Sequence, residues 1–103
     1  MSTYSMLELD VVRWAEARQI IPNSSSLAQA IKTTEEVAEL LKALSKGDIE
    51  EAKDAYGDIL VTLIIGASLL DVDLVSCLDQ AYKTIKDRKG YLSKDGIFVK
   101  ESS

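Results

Sequence analysis

Apolar side chains recur along most of this chain every three or four residues, the spacing that keeps one face of an α-helix out of water. Met6, Leu9 and Val12, with Val11, Trp14 and Ala15, mark a first helix over residues 5–20. Pro22, Asn23 and the serines at 24–26 break it, because proline has no amide hydrogen and short polar side chains compete for backbone groups. Ser26 is the expected N-cap of a second helix, which runs to residue 45 with Leu27, Ile31, Val37, Leu40, Leu41 and Leu44 on its apolar stripe. Gly47 fits the left-handed residue that closes a helix, and Asp48 with Glu51 fits the cap and first-turn acid of the next one. A turn this short makes the two helices antiparallel. The third helix reaches residue 71, and Asp73 caps a fourth over residues 74–89, which Gly90 stops. Beyond it, Lys94-Asp95-Gly96 between Tyr91-Leu92 and Ile97-Phe98-Val99 reads either as a small hairpin or as a disordered or partner-draped tail. The expected fold is therefore all-α: a four-helix bundle in a single domain over 1–103, with 91–103 as its tail.

The third helix changes character halfway. It is amphipathic over 48–58, whereas over 59–70 it is apolar on every side. A helix buried all round needs more cover than four short helices supply, so this segment is read as an oligomer interface. Gly66, Ala67 and Ser68 would permit close helix approach there; the competing reading is a densely apolar monomeric core. Composition sharpens the point, since 47% of the 103 residues are hydrophobic. A chain of this length buries only about 60–68% of its unfolded surface.

The net charge of −5 is concentrated between residues 35 and 58, where eight acids face three lysines. Clustered carboxylates repel one another unless something cationic sits among them. An acidic chain without a basic stripe is not expected to grip a nucleic-acid polymer. The absence of histidine excludes imidazole general bases and imidazole-ligated zinc sites. The single cysteine, Cys77, has apolar neighbours and is expected to be a buried thiol. The longest uncharged run is shorter than the ~20 residues that span a bilayer, and no basic region leads into an apolar stretch at the N-terminus. The expected setting is cytoplasmic, away from any membrane.

The acids themselves are ordered. Glu36 and Glu39 leave the same face of the second helix, and Glu35 and Glu39 share a neighbouring edge. Glu51, Asp54 and Asp58 lie within ~60° of one another on the third. Counted outward from the Gly47 turn, Glu39 stands level with Asp54 and Glu36 with Asp58. Four carboxylates facing one another suit a hard, oxygen-seeking cation, and Mg2+ above all, because it keeps waters and accepts phosphate oxygens. The competing reading is a solvated acidic face. Against it, the positions four after Glu36 and Glu39 are Leu40 and Ala43 rather than lysines.

The segments KTTEEVAELLKAL, KGD, YGDIL and AYKTIKDRKG together resemble the MazG-like family of all-α nucleoside triphosphate pyrophosphohydrolases, over roughly residues 10–100. The chain looks most similar to short, phage-type, single-domain members. The resemblance implies a bundle completed as a homodimer or homotetramer, dependence on Mg2+ with Mn2+ as a substitute, and cleavage between the α and β phosphates. Its EExxE signature falls on Glu35, Glu36 and Glu39, with Glu36 and Glu39 as implied metal ligands. The Asp of its ExxD signature falls on Asp58, but its Glu falls on Ala55. Either Asp54, one turn before Asp58, takes over the missing ligand's task, or the site is degraded. Tyr82, Lys83, Lys86 and Arg88 match the helix end that binds phosphate in the family, although cations there also complement a helix C-terminus. Lys32 is a further phosphate-binding candidate. Trp14 is read as core, with stacking on a base as the other reading.

The expected reaction is attack by water on the α-phosphorus of a nucleoside triphosphate, with pyrophosphate leaving. Metal would be held by Glu36, Glu39, Asp54 and Asp58, and Glu35 would orient or deprotonate the water. One alternative is a non-catalytic nucleotide- or partner-binding module of the same fold, which Ala55 favours. Another is an enzyme like phosphoribosyl-ATP pyrophosphohydrolase, against which the short, gapless chain argues.

Overall fold

The computed structural model describes residues 2–101, so Met1 and the end of the 91–103 tail lie outside the described residues. Helix α1 spans Tyr4–Ala17, with the Thr3 hydroxyl accepting the Met6 amide at 3.2 Å. It ends three residues earlier than predicted. Gln19 adopts a left-handed φ of 62° and a single helical turn, α2 (Ile20–Asn23), follows. Inside that turn Ile21 is extended (φ −99°, ψ 124°), as clashes with the ring of a following proline require.

Helix α3 spans Ser26–Lys46, and its cap is Ser25 rather than Ser26: the Ser25 hydroxyl accepts the Ala28 amide at 3.0 Å. Ser26 is occupied elsewhere, donating to the Gly66 carbonyl at 2.7 Å. Gly47 takes φ 71°, and the Asp48 carboxylate accepts the Glu51 amide at 3.0 Å, so the turn between α3 and α4 (Ile49–Ser68) has both caps expected of it. Helix α4 stops short of residue 71, and Asp71 itself is left-handed (φ 59°). Helix α5 covers Leu74–Ile85, with Asp73 accepting the Ser76 amide at 2.7 Å. It ends four residues before residue 89, and Gly90 opens a strand instead of closing a helix. The tail is a hairpin: β1 (Gly90–Leu92) pairs antiparallel with β2 (Phe98–Lys100), Tyr91 opposite Val99. A Cβ at Gly90 would collide with the Phe98 ring and the Val99 carbonyl, so glycine is required by this close approach.

The antiparallel α3–α4 pair forms the body of the molecule. Ala43, Ala52 and Ala55 are buried along it, and small side chains there let the helices come close. The hydroxyl oxygens of Thr33 and Thr62 lie 2.7 Å apart across the pair, which satisfies the buried Thr62. Gly66 does permit a close approach, but within the chain: an added Cβ would stand 3.3 Å from Gln29 Cβ of α3. Helix α1 lies against α4 and buries Ala15. It also carries a polar residue that the hydrophobic pattern conceals. Glu8 is buried, accepting the Tyr4 hydroxyl at 2.9 Å and the Leu74 amide at 3.1 Å, so it ties α1 to the start of α5. The Tyr4 phenol, pushed up to about 12 by burial and by this carboxylate, stays protonated as its donor.

Little else is covered. The apolar segment over 59–70 divides: Ile64 and Ile65 are buried within the chain, while Leu60 and Leu63 are exposed. Cys77, expected to be buried, is exposed, because no described residue of α5 is buried by the rest of the chain. Trp14, read as core, is 47% exposed. Among the described residues no large side chain is fully enclosed. The radius of gyration is 16.1 Å, against about 13 Å for a compact domain of this length. The accessible surface is 7981 Å², against roughly 5,700 Å² for a folded monomer of this mass.

Candidate active site

The α3–α4 pair carries a cleft of about 220 Å³ lined by Glu36 and Glu39 from one helix and by Glu51, Asp54, Ala55 and Asp58 from the other. The register set by Gly47 puts these residues level. Asp54 and Asp58 are one turn apart on α4, as are Glu36 and Glu39 on α3. Ala55 is buried between the two α4 acids and forms part of the floor. The four expected ligands are thus brought to one cleft, and Glu51 joins them from the first turn of α4.

Cations stay at the edge. Lys32 reaches Glu35 at 3.2 Å and Glu36 at 3.6 Å, and these carboxylates, Glu35 first, raise its pKa above the ordinary lysine value. The Glu36 side chain is sheltered and that of Glu35 is open to solvent, because one residue rotates a helix by 100°. Glu35 therefore does not line the cleft. Lys53 turns outward to Glu50. Among the described residues no lysine or arginine pairs with Glu39, Glu51, Asp54 or Asp58. Tyr82, Lys83, Lys86 and Arg88 are not brought to this cleft; Lys83 pairs along its own helix or helix end with Asp79 at 2.8 Å.

The donor set is all oxygen, which fits a hard divalent cation rather than a thiophilic one. Among the described residues no three acids are gathered around a single point; they stand as facing walls.

A second groove borders the first. Leu7, Asp10, Val11 and Trp14 of α1 and Asp58 and Val61 of α4 line about 400 Å³, and Asp58 belongs to both. Sequence reasoning found Trp14 but not the groove or Asp10, since periodicity reveals an apolar face and not what covers it.

Residues 16–88 match the family described as phosphoribosyl-ATP pyrophosphohydrolase, an interval that contains every acid of the cleft. The chain is also similar to an uncharacterised 18.2 kDa protein from the rep-hol intergenic region of Haemophilus phage HP1 (strain HP1c1), with 32% identity over 75 residues. That alignment covers 73% of this chain and 46% of the phage protein, so the chain spans less than half the length of that relative. No solved structure matches.

Proposed function

The chain belongs to the phosphoribosyl-ATP pyrophosphohydrolase family, all-α pyrophosphohydrolases of the MazG-like kind, and from that premise we propose that it hydrolyses nucleoside triphosphates to monophosphate and pyrophosphate with Mg2+. The observation that carries this reading is the cleft in which Glu36, Glu39, Asp54 and Asp58 face one another without cationic partners for three of the four. Those four side chains would hold the ion, with Asp54 standing in for the acid that Ala55 lacks. Bound there, Mg2+ supplies charge neutralisation on the phosphate oxygens.

The protein's own groups account for the rest. Lys32, shared between Glu35 and the cleft residue Glu36, is the cation held nearest the acids and would exchange those carboxylates for a substrate phosphate. Glu35, on the neighbouring edge of α3 outside the cleft, and Glu51, which lines it, are the competing acceptors for the proton of the attacking water. Comparing Glu35→Gln with Glu51→Gln under saturating substrate separates the two.

A second copy of the chain completes the proposal. The excess surface and the open apolar side of α5 support a homodimer or homotetramer, in which Tyr82, Lys83, Lys86 and Arg88 of one subunit meet the phosphates bound by another. The decisive experiment is a panel of ribo- and deoxyribonucleoside triphosphates, with phosphoribosyl-ATP included, scored for pyrophosphate against orthophosphate. Turnover of phosphoribosyl-ATP alone would favour the activity in the family's name. Nucleotide binding without pyrophosphate release would favour a non-catalytic module, the reading that Ala55 supports.

A further inference from the structure

We propose that the groove between α1 and α4 receives the nucleobase of the substrate and that Asp10 selects guanine, an inference that rests on the hydrolase reading above. The groove is continuous with the acid cleft through Asp58, which lines both. In a nucleoside triphosphate only a sugar separates the phosphates from the base, so adjoining phosphate and base sites are what such a substrate requires. The groove wall fits a base. Leu7, Val11 and Val61 are apolar, and Trp14 offers an exposed indole at the rim. The Arg18 guanidinium, 5.7 Å from the ring centroid, steadies that indole. Stacking on an aromatic face is tolerant of base identity, so it supplies affinity and not choice.

Choice falls to Asp10, which is a polar lining group that the acid cleft does not use. An ionised carboxylate offers two acceptors and no donor. Guanine presents two adjacent donors on its pairing edge, N1–H and the N2 amino group, and so engages both oxygens, as an arginine fork does. Adenine and cytosine each set a ring-nitrogen acceptor beside their amino donor, which repels the second oxygen. Uracil and thymine flank a single N–H with two carbonyls. A bidentate contact of this kind discriminates by about tenfold to a hundredfold.

Trp14 is the sole tryptophan, so its emission reports on the groove without any need for turnover. Titrating the protein with GMP, IMP, AMP, CMP and UMP in the absence of metal should quench it at the lowest concentration with GMP. IMP, which lacks the N2 amino group, should fall behind GMP. Asp10→Asn should abolish the preference for GMP over AMP, because an amide, with one donor and one acceptor, pairs as well with N1 and the N6 amino group of adenine as with O6 and N1–H of guanine. Equal titration by all bases, or an unchanged order in Asp10→Asn, overturns the proposal. So does emission that no nucleotide alters because a second copy covers Trp14. Pyrophosphate release is scored in parallel. Release without a Trp14 response removes the base groove and leaves the hydrolase standing, whereas a guanine-ordered response without release does the reverse.

Discussion

The α3–α4 pair and α5 are both amphipathic, yet the pair buries a seam within the chain while α5 buries none of its described residues. Outside that seam Leu27, Ile31, Leu41 and Leu44 of α3 are exposed as well. In α3–α4 a capped turn sets the register, alanines bring the helices together, and the threonine hydroxyls satisfy each other at the contact. Helix α5 carries Leu74, Leu78 and Ile85 on one side, but Leu78 is 65% exposed and no described residue of the helix is buried. Two elements with the same kind of pattern thus differ in what the chain provides to meet them. The α3–α4 seam carries the cleft acids, whereas Lys83 of α5 and Lys86 and Arg88 just beyond it belong to the uncovered region. A site whose halves differ in this way is the feature that the proposed second copy would resolve.

The largest effect should come from damage to the buried seam of the α3–α4 pair. Ile64 is 5% exposed inside the chain, so Ile64→Lys buries a charge with no partner. It should cost about 4 kcal/mol or more and abolish a cooperative thermal transition. Sedimentation of a folded, melting variant would show that α4 tolerates the charge and that the core lies elsewhere. Next in size are the cleft acids. Asp54→Ala and Asp58→Ala should each lower kcat about 10²- to 10³-fold while leaving the melting temperature no lower. Ala55→Glu in the Asp54→Ala background should recover part of that loss, because it returns a carboxylate to the cleft floor. A harmless Asp54→Ala beside an inactive Asp58→Ala would end the substitution idea.

How much of the fold and the cleft is legible in the sequence depends on how local each signal is. The Gly47 turn and the Asp48 and Asp73 caps follow from residues a few places apart, and the levelling of Glu36 and Glu39 with Asp54 and Asp58 follows from that one turn by counting outward along two regular helices. The α3 cap was misplaced by one residue because the Ser26 hydroxyl is drawn to Gly66, forty positions away. Trp14 sits on an apolar stripe and Cys77 among apolar neighbours, which predicts burial for both. A stripe says which face avoids water and nothing about which partner covers it. Glu8 leaves a faint trace in the sequence: it lies seven residues before the buried Ala15, on the same helix face, with its hydrogen-bond donor Tyr4 four residues earlier. Lys83, Lys86 and Arg88 match a phosphate-binding helix end, but the chain by itself does not carry them to the cleft.

The uncovered region gives the next test. Under the proposed assembly Leu78→Glu should weaken self-association by about 2 kcal/mol or more, as loss of a central apolar contact does, and leave the helical content of the chain intact. Sedimentation at micromolar concentration reads the first and circular dichroism the second. An unmodified protein that remains a monomer would remove the second copy from the proposal altogether. Between the two regions lies Glu8. Glu8→Ala strands the Leu74 amide and the Tyr4 hydroxyl and should cost about 1–3 kcal/mol, with α5 becoming the first helix to lose hydrogen-exchange protection. Uniform loss across all helices would mean that Glu8 supports the fold as a whole and not the attachment of α5.

The smallest expected effect concerns the other carboxylate at the same helix end. The Asp73 carboxylate accepts the Ser76 amide, and those hydrogen bonds hold its pKa below the ordinary 3.8. A group whose folded pKa is lowered stabilises the folded state fully above its unfolded value. That contribution is lost as pH falls through the folded value, since the unfolded chain takes up the proton first. Cap support for α5 should therefore be complete above pH 3.8 and fade below it. Asp73→Asn keeps a capping oxygen but cannot titrate, so it should preserve α5 while removing this part of the acid dependence. The measurement is amide exchange at Ser76, followed downward from pH 5 in both proteins after correction for intrinsic exchange rates. If the two lose protection in parallel, the cap is pH-neutral. If only the unmodified protein loses it, the helix that the chain leaves uncovered is held at its start by a carboxylate of its own.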